Sequence, residues 1–424
     1  MTRALSTPGR VLMLVENSSY PKDPRVRKEA QALTNAGYLV TVISPAEPGQ
    51  KFHEMIDSVN VYRFAAPQRA NSILTYAYEY AYSMAAIFLL TFWVFIRRGF
   101  DVIHAANPPD TLVLIAVFYK CVGKCFVFDH HDLAPEMYYA RFPQGGKTWV
   151  YKILLWSERL SCRLADRVFA ANESHKAIEM CRDGVREAFI TIVRNGPQLK
   201  NTWTIEPDRE VRAQAGTIIA YAGITGIQDG VDFLLRALRH LVVTLKKKDV
   251  LCLIIGDGDA LPGLKRQAEE LGLAKCILFT GWIDNPHRYT TYISTADICV
   301  DPSPSNPYND RCTAIKMMEY MAAAKPIVAF DLPEHRVTAD SSAIYALPND
   351  ELEFARAMAE LMDDAPRRQL MGAIGRCRIE QHLAWDYSVP RLLDAYGELL
   401  SKPSGKAVPI ATTRSEIPHL SSLQ

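Results

Sequence analysis

The chain has 424 residues, 49% of them hydrophobic and 22% charged, and its 48 basic side chains nearly cancel 47 acidic ones to leave a net charge of +1. That balance excludes a generally basic nucleic-acid binder and an acidic disordered protein, and at about 100–200 residues per domain the length predicts two domains and a tail. The nine cysteines (121, 125, 162, 181, 252, 276, 299, 312 and 377) are odd in number, scattered and mostly set among apolar neighbours, so they read as reduced core residues without a disulfide framework. Only Cys121-x-x-x-Cys125 has a spacing that suits metal or redox chemistry.

Met1 to Arg10 is polar and leads into the apolar run Val11–Val15, which ends at Glu16. A signal peptide needs a longer apolar stretch and a small-residue cleavage site, so a cytoplasmic start is expected. Residues 10–15 (RVLMLV) and 38–44 (YLVTVIS) are β-rich, and between them Arg25–Ala36 carries apolar residues at helical spacing before Gly37, a strand, helix, strand unit. Met84 to Ile96 is a 13-residue apolar segment closed by Arg97 and Arg98. A span needs ~20 residues, so this segment is expected to form a buried core helix or one lying partly in the bilayer interface.

The alternation continues through DVIHAAN (101–107), a helical TLVLIAVFYK (111–120), CFVFDHH (125–131), a long helix near 147–166, RVFAANES (167–174) and FITIVRNG (189–196). After Asn195-Gly196 the chain turns polar to about 209, and a second series begins. Its strands fall at 217–223, 250–258, 276–282, 296–303, 326–331 and 343–347, with helical stretches at 231–245, 262–271, 287–294, 312–323 and 351–363 between them. Nearly all-apolar strands suit a parallel sheet covered on both faces. The pattern predicts an α/β protein with two doubly wound, Rossmann-like domains, 1–200 and 201–386, hinged near 197–210. A C-terminal helix is expected over 387–400, and the Ser/Pro/Thr-rich tail 401–424 is expected to be disordered.

In open α/β sheets ligands bind beyond the carboxyl ends of the strands, so the cleft between the two domains is the expected site. Gly256-Asp257-Gly258-Asp259 ends a strand and opens a helix. Glycines there permit positive φ and bring backbone N–H groups close to an anion, although a simple turn gives the same pattern. Asp257-x-Asp259 also imitates a metal-binding pair, which a turn again explains.

The companions of this turn come in a fixed order: AYAG (220–223), IIGDGD (254–259), FTGW (279–282), ADICVDPS (296–303) and MMEYMAAAKPIVAFD (317–331). The series resembles the nucleotide-binding half of family-4 glycosyltransferases, retaining enzymes of the GT-B fold. DPRVRKEAQAL (23–33), DVIHAANPPD (101–110), FDHHDLAPE (128–136) and VRNG (193–196) resemble their acceptor half more loosely, so that the likeness covers about residues 10–400. The resemblance implies a sugar moved from a nucleotide-sugar, UDP-linked, to a glycan or polyprenyl-linked acceptor in surface polysaccharide assembly. It implies no nucleic-acid partner and no cofactor or metal beyond the donor.

The resemblance also assigns roles. Glu319 matches the family's ribose-binding glutamate, and a carboxylate is well matched to a ribose diol. Trp282 and Ile283, after Gly281, fall where members hold the base. Asn195, Gly223, Gly256, Asp257 and Gly258 complete the donor side, and the NDR–K–EYM pattern of the bacterial polysaccharide branch adds Asp310, Arg311 and Lys316. Members commonly carry an arginine and a lysine on the donor phosphates where this chain has Ile224 and Asp229, and the usual glycine pair after the first strand is Asn17-Ser18-Ser19 here. Arg311 as a fork and Lys316 as a point charge are the expected replacements.

On the acceptor side, His131 matches the histidine placed beside the transferring sugar, where it would bond a hydroxyl and stabilise oxocarbenium charge. Asp132 and Glu173 are the other expected catalytic residues, and Glu136 also follows a strand. His130 and His131 with flanking aspartates could ligate a metal, but alternation along a strand splits the pair. Tyr76, Tyr78, Tyr80 and Tyr82, with Trp149, Lys152, Trp156, Arg159 and Arg163, suit an interfacial helix. A cytoplasmic protein peripheral to the inner face of the plasma membrane is expected. A nucleotide-sugar epimerase and a non-catalytic sugar-nucleotide sensor remain open as alternatives.

Overall fold

The computed structural model describes residues 9–66, 73–142, 145–201, 203 and 205–401. The tail predicted to be disordered lies outside the described residues, apart from Ser401. The strands are β1 (Arg10–Leu14), β2 (Leu39–Ala46), β3 (His53–Ile56), β4 (Val59–Ala65), β5 (Val102–Ala106), β6 (Cys125–His130), β7 (Arg167–Ala170) and β8 (Ile190–Ile192). A second set follows: β9 (Thr217–Ala222), β10 (Val250–Ile255), β11 (Ile277–Gly281), β12 (Ile298–Asp301), β13 (Ile327–Phe330) and β14 (Ala343–Ala346). The first-half helices are α1 (Pro24–Asn35), α2 (Ile73–Arg97), α3 (Val113–Lys120), α4 (Ala134–Arg141), α5 (Thr148–Leu164) and α6 (Glu173–Cys181). Then come α7 (Arg209–Arg212), α8 (Val231–Arg239), α9 (Leu261–Glu270), α10 (Pro286–Thr295), α11 (Ile315–Ala322), α12 (Pro333–Ala339), α13 (Glu351–Asp363), α14 (Ala365–Arg378) and α15 (Ser388–Ser401).

β1 to β8 form one sheet in the order β3-β4-β2-β1-β5-β6-β7-β8, and β9 to β14 a second in the order β11-β10-β9-β12-β13-β14. All pairings are parallel except β3 with β4. Each sheet carries an apolar layer on both faces, which is why its central strands are apolar throughout rather than alternating. Both sheets reverse strand order in the middle, at β1/β5 and β9/β12, and such switch points open crevices at the carboxyl ends.

The expected boundary between halves is crossed twice. α15 returns to the first sheet, where Leu392, Ala395, Tyr396 and Leu399 pack with Val11 and Met13, and Tyr396 O–H lies 2.7 Å from His104 Nδ1. The outgoing and returning strands of the hinge touch: Trp385 N–H donates to Pro197 O (2.9 Å) and Ser388 Oγ to Arg194 O (2.9 Å). Gly196 is needed there because a Cβ would sit 1.9 Å from Leu383 O.

The 13-residue apolar segment is part of a 25-residue helix, because the Tyr/Ala-rich stretch before Met84 continues the same helix. Its stretch Tyr78–Arg97 is long and apolar enough to cross a membrane by length and composition, and 22% of its most apolar window is buried. The expectation of a short buried helix is therefore corrected. Ser83, Ile87, Thr91 and Val94 turn inward, whereas Leu89, Phe92, Trp93 and Ile96 are exposed, at spacings that put each set on one face. On α5, Trp149, Ile153 and Trp156 are likewise exposed rather than core. The side chain of Tyr76 lies outside the described residues.

Candidate functional site

The carboxyl ends of the two sheets face each other across a cleft of about 760 Å³. From the first half it takes Asn17 after β1, Pro108 after β5, and His131 with Asp132 after β6; from the second, Gly223 after β9, and Lys316 with Glu319 on α11. Direct bonds close it at the back. Asn172 Nδ2 donates to Arg311 O (2.8 Å) and Thr313 Oγ1 (2.9 Å), Tyr308 O–H to Asp132 Oδ1 (3.0 Å), and Ser174 Oγ to Glu334.

On the second-half wall, α11 begins at Ile315 with no side chain capping its N–H groups, so its first turn offers free donors and the positive end of the helix dipole to the cleft. Lys316 follows at once. Its ammonium lies 3.5 Å from Asp229, 3.6 Å from Asp301 and 4.8 Å from the centre of the Tyr221 ring. Burial pulls the Lys316 pKa down, but Asp301, Tyr221 and Asp229 more than offset it and hold the group charged. One turn on, Glu319 accepts from Tyr289 O–H (2.6 Å), and burial raises its pKa against the pull of that bond and of Lys28.

On the first-half wall, His131 Nδ1 lies 3.2 Å from Asp129 Oδ2, and its backbone N–H donates to Asn107 Oδ1 (2.9 Å). Burial lowers the His131 pKa, but the Asp129 carboxylate outweighs it and the net shift is upward. As alternation requires, His130 points to the other face, with Nδ1 3.0 Å from Glu179. Glu29, His104 and Asp129 bring one ligand atom each within 4.8 Å of one another, as a metal site would. Arg25 also sits among them, its Nε 2.8 Å from Asp129 and 3.3 Å from Glu29.

Of the expected site residues, His131, Asp132, Asn195, Gly223, Lys316 and Glu319 line this one cleft. The others do not. Arg311 Nη1 donates to Pro307 O (2.7 Å), because Asn306 Oδ1 takes the N–H groups of Tyr308 and Asn309 and turns the segment back on itself. Its backbone, rather than its fork, serves the site by holding Asn172. Asp310 sits in the same turn, away from the cleft. Glu173 is exposed in the first turn of α6, and its neighbours Asn172 and Ser174 make the contacts across the cleft.

Trp282 and Ile283 line a separate pocket of about 370 Å³; α10 lies between, with Tyr289 on the cleft and Arg288 and Tyr292 on the pocket. Gly256 and Gly258 answer to packing. A Cβ on Gly256, at φ +137°, would sit 1.9 Å from Gly223 O, and one on Gly258 would sit 2.8 Å from the Thr225 backbone. Asp257 points outward beside them, its Oδ1 accepting from Gly258 N–H (2.7 Å). The residues missed were partners of those found: Asp301, Tyr289, Tyr308 and Asn172. ADICVDPS carried Asp301, whereas nothing local in sequence marks the other three.

Lys28 on α1 reaches the hinge, donating to Gly196 O (2.9 Å) and Asn195 O (3.3 Å). Burial lowers its pKa from 10.5 to about 7, although Glu319 pulls the other way. Between those values the unfolded chain holds one proton more than the folded one, so stability contributed through Lys28 rises with pH above about 7 and is flat below. Urea unfolding of wild type and Lys28→Met should show the wild type gaining relative stability from pH 7 to 9.5; a constant difference contradicts the shift.

A family model described as "Glycosyl transferase 4-like domain" matches residues 23–196, and one described as "Glycosyl transferases group 1" matches residues 216–364. The lipopolysaccharide core biosynthesis glycosyltransferase LpsD of Rhizobium meliloti is 28% identical over 155 residues, 36% of this chain and 42% of that protein. Alpha-D-kanosaminyltransferase of Streptomyces kanamyceticus is 27% identical over 232 residues, 52% of this chain and 57% of that one. The chain thus spans about half the length of these relatives. Among solved structures, sucrose-phosphate synthase from Thermosynechococcus elongatus superposes with a TM-score of 0.75 at 18% identity, covering 93% of this chain and 99% of that one. Anabaena Alr3699/HepE, solved in complex with UDP-glucose, gives 0.71 at 14% identity, covering 92% and 99%. These likenesses carry the fold, and the two matches between them take in most of both halves. The chain is thus a glycosyl transferase built of a 4-like domain followed by a group 1 domain, in a two-lobed GT-B architecture.

Proposed function

We propose that the chain is a retaining glycosyltransferase that moves a hexosyl or N-acetylhexosaminyl group from a UDP-sugar to a glycan or lipid-linked acceptor in cell-surface polysaccharide assembly. The observation that carries this reading is the placement of Glu319 one turn past the open N-terminus of α11, with His131 on the opposite wall of the same cleft. The free N–H groups of that turn and the Lys316 ammonium receive the diphosphate. Glu319 accepts from the ribose hydroxyls, and His131 contacts the sugar. UDP-glucose in Alr3699/HepE and the surface-glycan role in the name of LpsD support the donor and acceptor classes.

In this reading the acceptor attacks on the face the leaving group departs from, and a donor phosphate oxygen takes its proton. No pair of protein carboxylates is then required, unlike in most glycosidases. The protein supplies leaving-group stabilisation, orientation and water exclusion. Positive charge at the diphosphate comes from Lys316 and the helix dipole, with no metal or cofactor called on. Binding must loosen Lys316 from Asp229, the carboxylate that burial already disfavours as an anion.

The reading extends to the membrane: the exposed apolar face of α2 lies against the cytoplasmic surface of the plasma membrane. α2 packs its other face along its own domain, which suits a helix lying on a bilayer, with Arg97 and Arg98 at one end to meet anionic headgroups.

Two outcomes follow. In calorimetric titrations UDP should bind the wild type, and Glu319→Ala should weaken it by about tenfold or more with the melting temperature unchanged, as loss of a charged hydrogen-bonding partner entails; equal affinity removes the ribose assignment. Co-sedimentation with vesicles containing phosphatidylglycerol should fall in Leu89→Ser/Trp93→Ser, whose sites are exposed; undiminished binding removes α2 from the contact.

A further inference from the structure

The stretch DPRVRKEAQAL (23–33) caps and opens α1. In the fold it does more. Asp23 caps α1 by accepting from Arg25 N–H and Val26 N–H (both 2.9 Å), which sets the first turn so that Arg25 points under the cleft. Arg25 Nε donates to both oxygens of Asp129 (3.0 and 2.8 Å), Nη2 to Oδ1 (2.5 Å), and Nη1 to Val193 O (2.7 Å). Arg25 is 2% exposed and Asp129 0%, so water cannot stand in for either partner.

Asp129 Oδ2 is shared. It also faces His131 Nδ1 at 3.2 Å and His104 Nε2 at 3.8 Å. His104 is turned away from the cleft, held between Glu29 (3.3 Å) and Tyr396 O–H (2.7 Å). His131 is different. Its backbone is fixed by Asn107, its ring lines the cleft, and its Nε2 has no partner among the described residues.

We propose that Arg25 and Asp129 are positioning residues that act through His131: the arginine fork locks the Asp129 carboxylate, and the carboxylate holds the Nδ1–H of His131, leaving Nε2 as the ring atom that meets the bound sugar. The proposal rests on the nucleotide-sugar reading for what His131 touches. The lock itself is a property of the free protein. An imidazole tied at one nitrogen cannot flip or change tautomer without losing that bond, so the other nitrogen keeps one direction and one role.

The test records imidazole ¹⁵N–¹H correlations of the full chain labelled at histidine, at pH 7.5, with the His131 signals identified by their absence in His131→Gln. Wild type should show a proton on Nδ1 of His131; Asp129→Asn should shift the ring toward the neutral Nε2–H tautomer. In the same variant, kcat for UDP-glucose hydrolysis should fall about 10–100-fold, the usual effect of losing such an orienting partner, with KM and UDP affinity held within about twofold. Arg25→Lys keeps the charge and loses the fork, and should lower kcat at unchanged KM; it decides the matter where the asparagine variant does not fold. An unchanged tautomer with unchanged kcat in Asp129→Asn, or full kcat in Arg25→Lys, overturns the proposal. So does a loss of UDP affinity equal to the loss of kcat, which marks a general structural defect. A wild type that neither binds UDP nor turns over UDP-glucose removes the nucleotide-sugar reading instead, and the tautomer then decides the lock alone.

Discussion

The ion pair between Arg25 and Asp129 is the contact on which the first half depends. Both charges are out of water, where their desolvation is repaid by each other and by the neighbouring charged and polar groups, and removing one member of such a pair typically costs about 3–5 kcal/mol. The pair joins α1 to β6 and, through the bond from Arg25 to Val193 O, to the segment that leaves for the second half. Glu29 and His104 complete a cluster of two acids and two bases. His104 is charged as well, since Asp129 and Glu29 raise its pKa to about 9 against the pull of burial. Through His104 the cluster reaches Tyr396 on the returning helix. Sheet, hinge and C-terminal helix therefore meet at one buried, charge-balanced point beneath His131.

The second half solves the opposite problem. It holds a cation on the cleft wall itself, paired with carboxylates beside it. Lys316 sits between Asp229 and Asp301, with His335 Nε2 3.6 Å from the far oxygen of Asp301. Asp301 is buried yet held below the usual carboxylate range by Lys316 and His335, while Asp229 is pushed up. The two carboxylates are thus unequal, and in the proposed reading Asp301 stays the counter-ion while Asp229 is the one an incoming diphosphate displaces.

Much of this was legible in the sequence, and the misses have physical causes. Apolar runs marked all six strands of the second sheet, five of them ending in Gly or Asp. The β3–β4 hairpin was missed because HEMI and VNVYRFA form an antiparallel edge with mixed polarity. Glu319 and His131 were singled out by their likeness to family motifs, and helix α11 and the end of β6 carry both into the cleft. Arg311 was misplaced because an Asx turn at Asn306, not the residue's charge, decides where its side chain goes. Gly256-Asp257-Gly258 read as a phosphate cradle but is required by the backbone of the neighbouring turn, a contact between segments about 30 residues apart that no local pattern reveals. The packing of α15 on the first sheet is likewise a tertiary choice.

The central claim is that the two walls of the cleft hold one nucleotide-sugar between them. A crystal structure of the chain with UDP-glucose tests it most directly. The account predicts ribose hydroxyls within hydrogen-bond distance of Glu319, the diphosphate at the first turn of α11 beside Lys316 in place of Asp229, and the glucose against His131 Nε2. A nucleotide bound outside the cleft, or bound there with Lys316 still paired to Asp229 and its phosphates elsewhere, would contradict it.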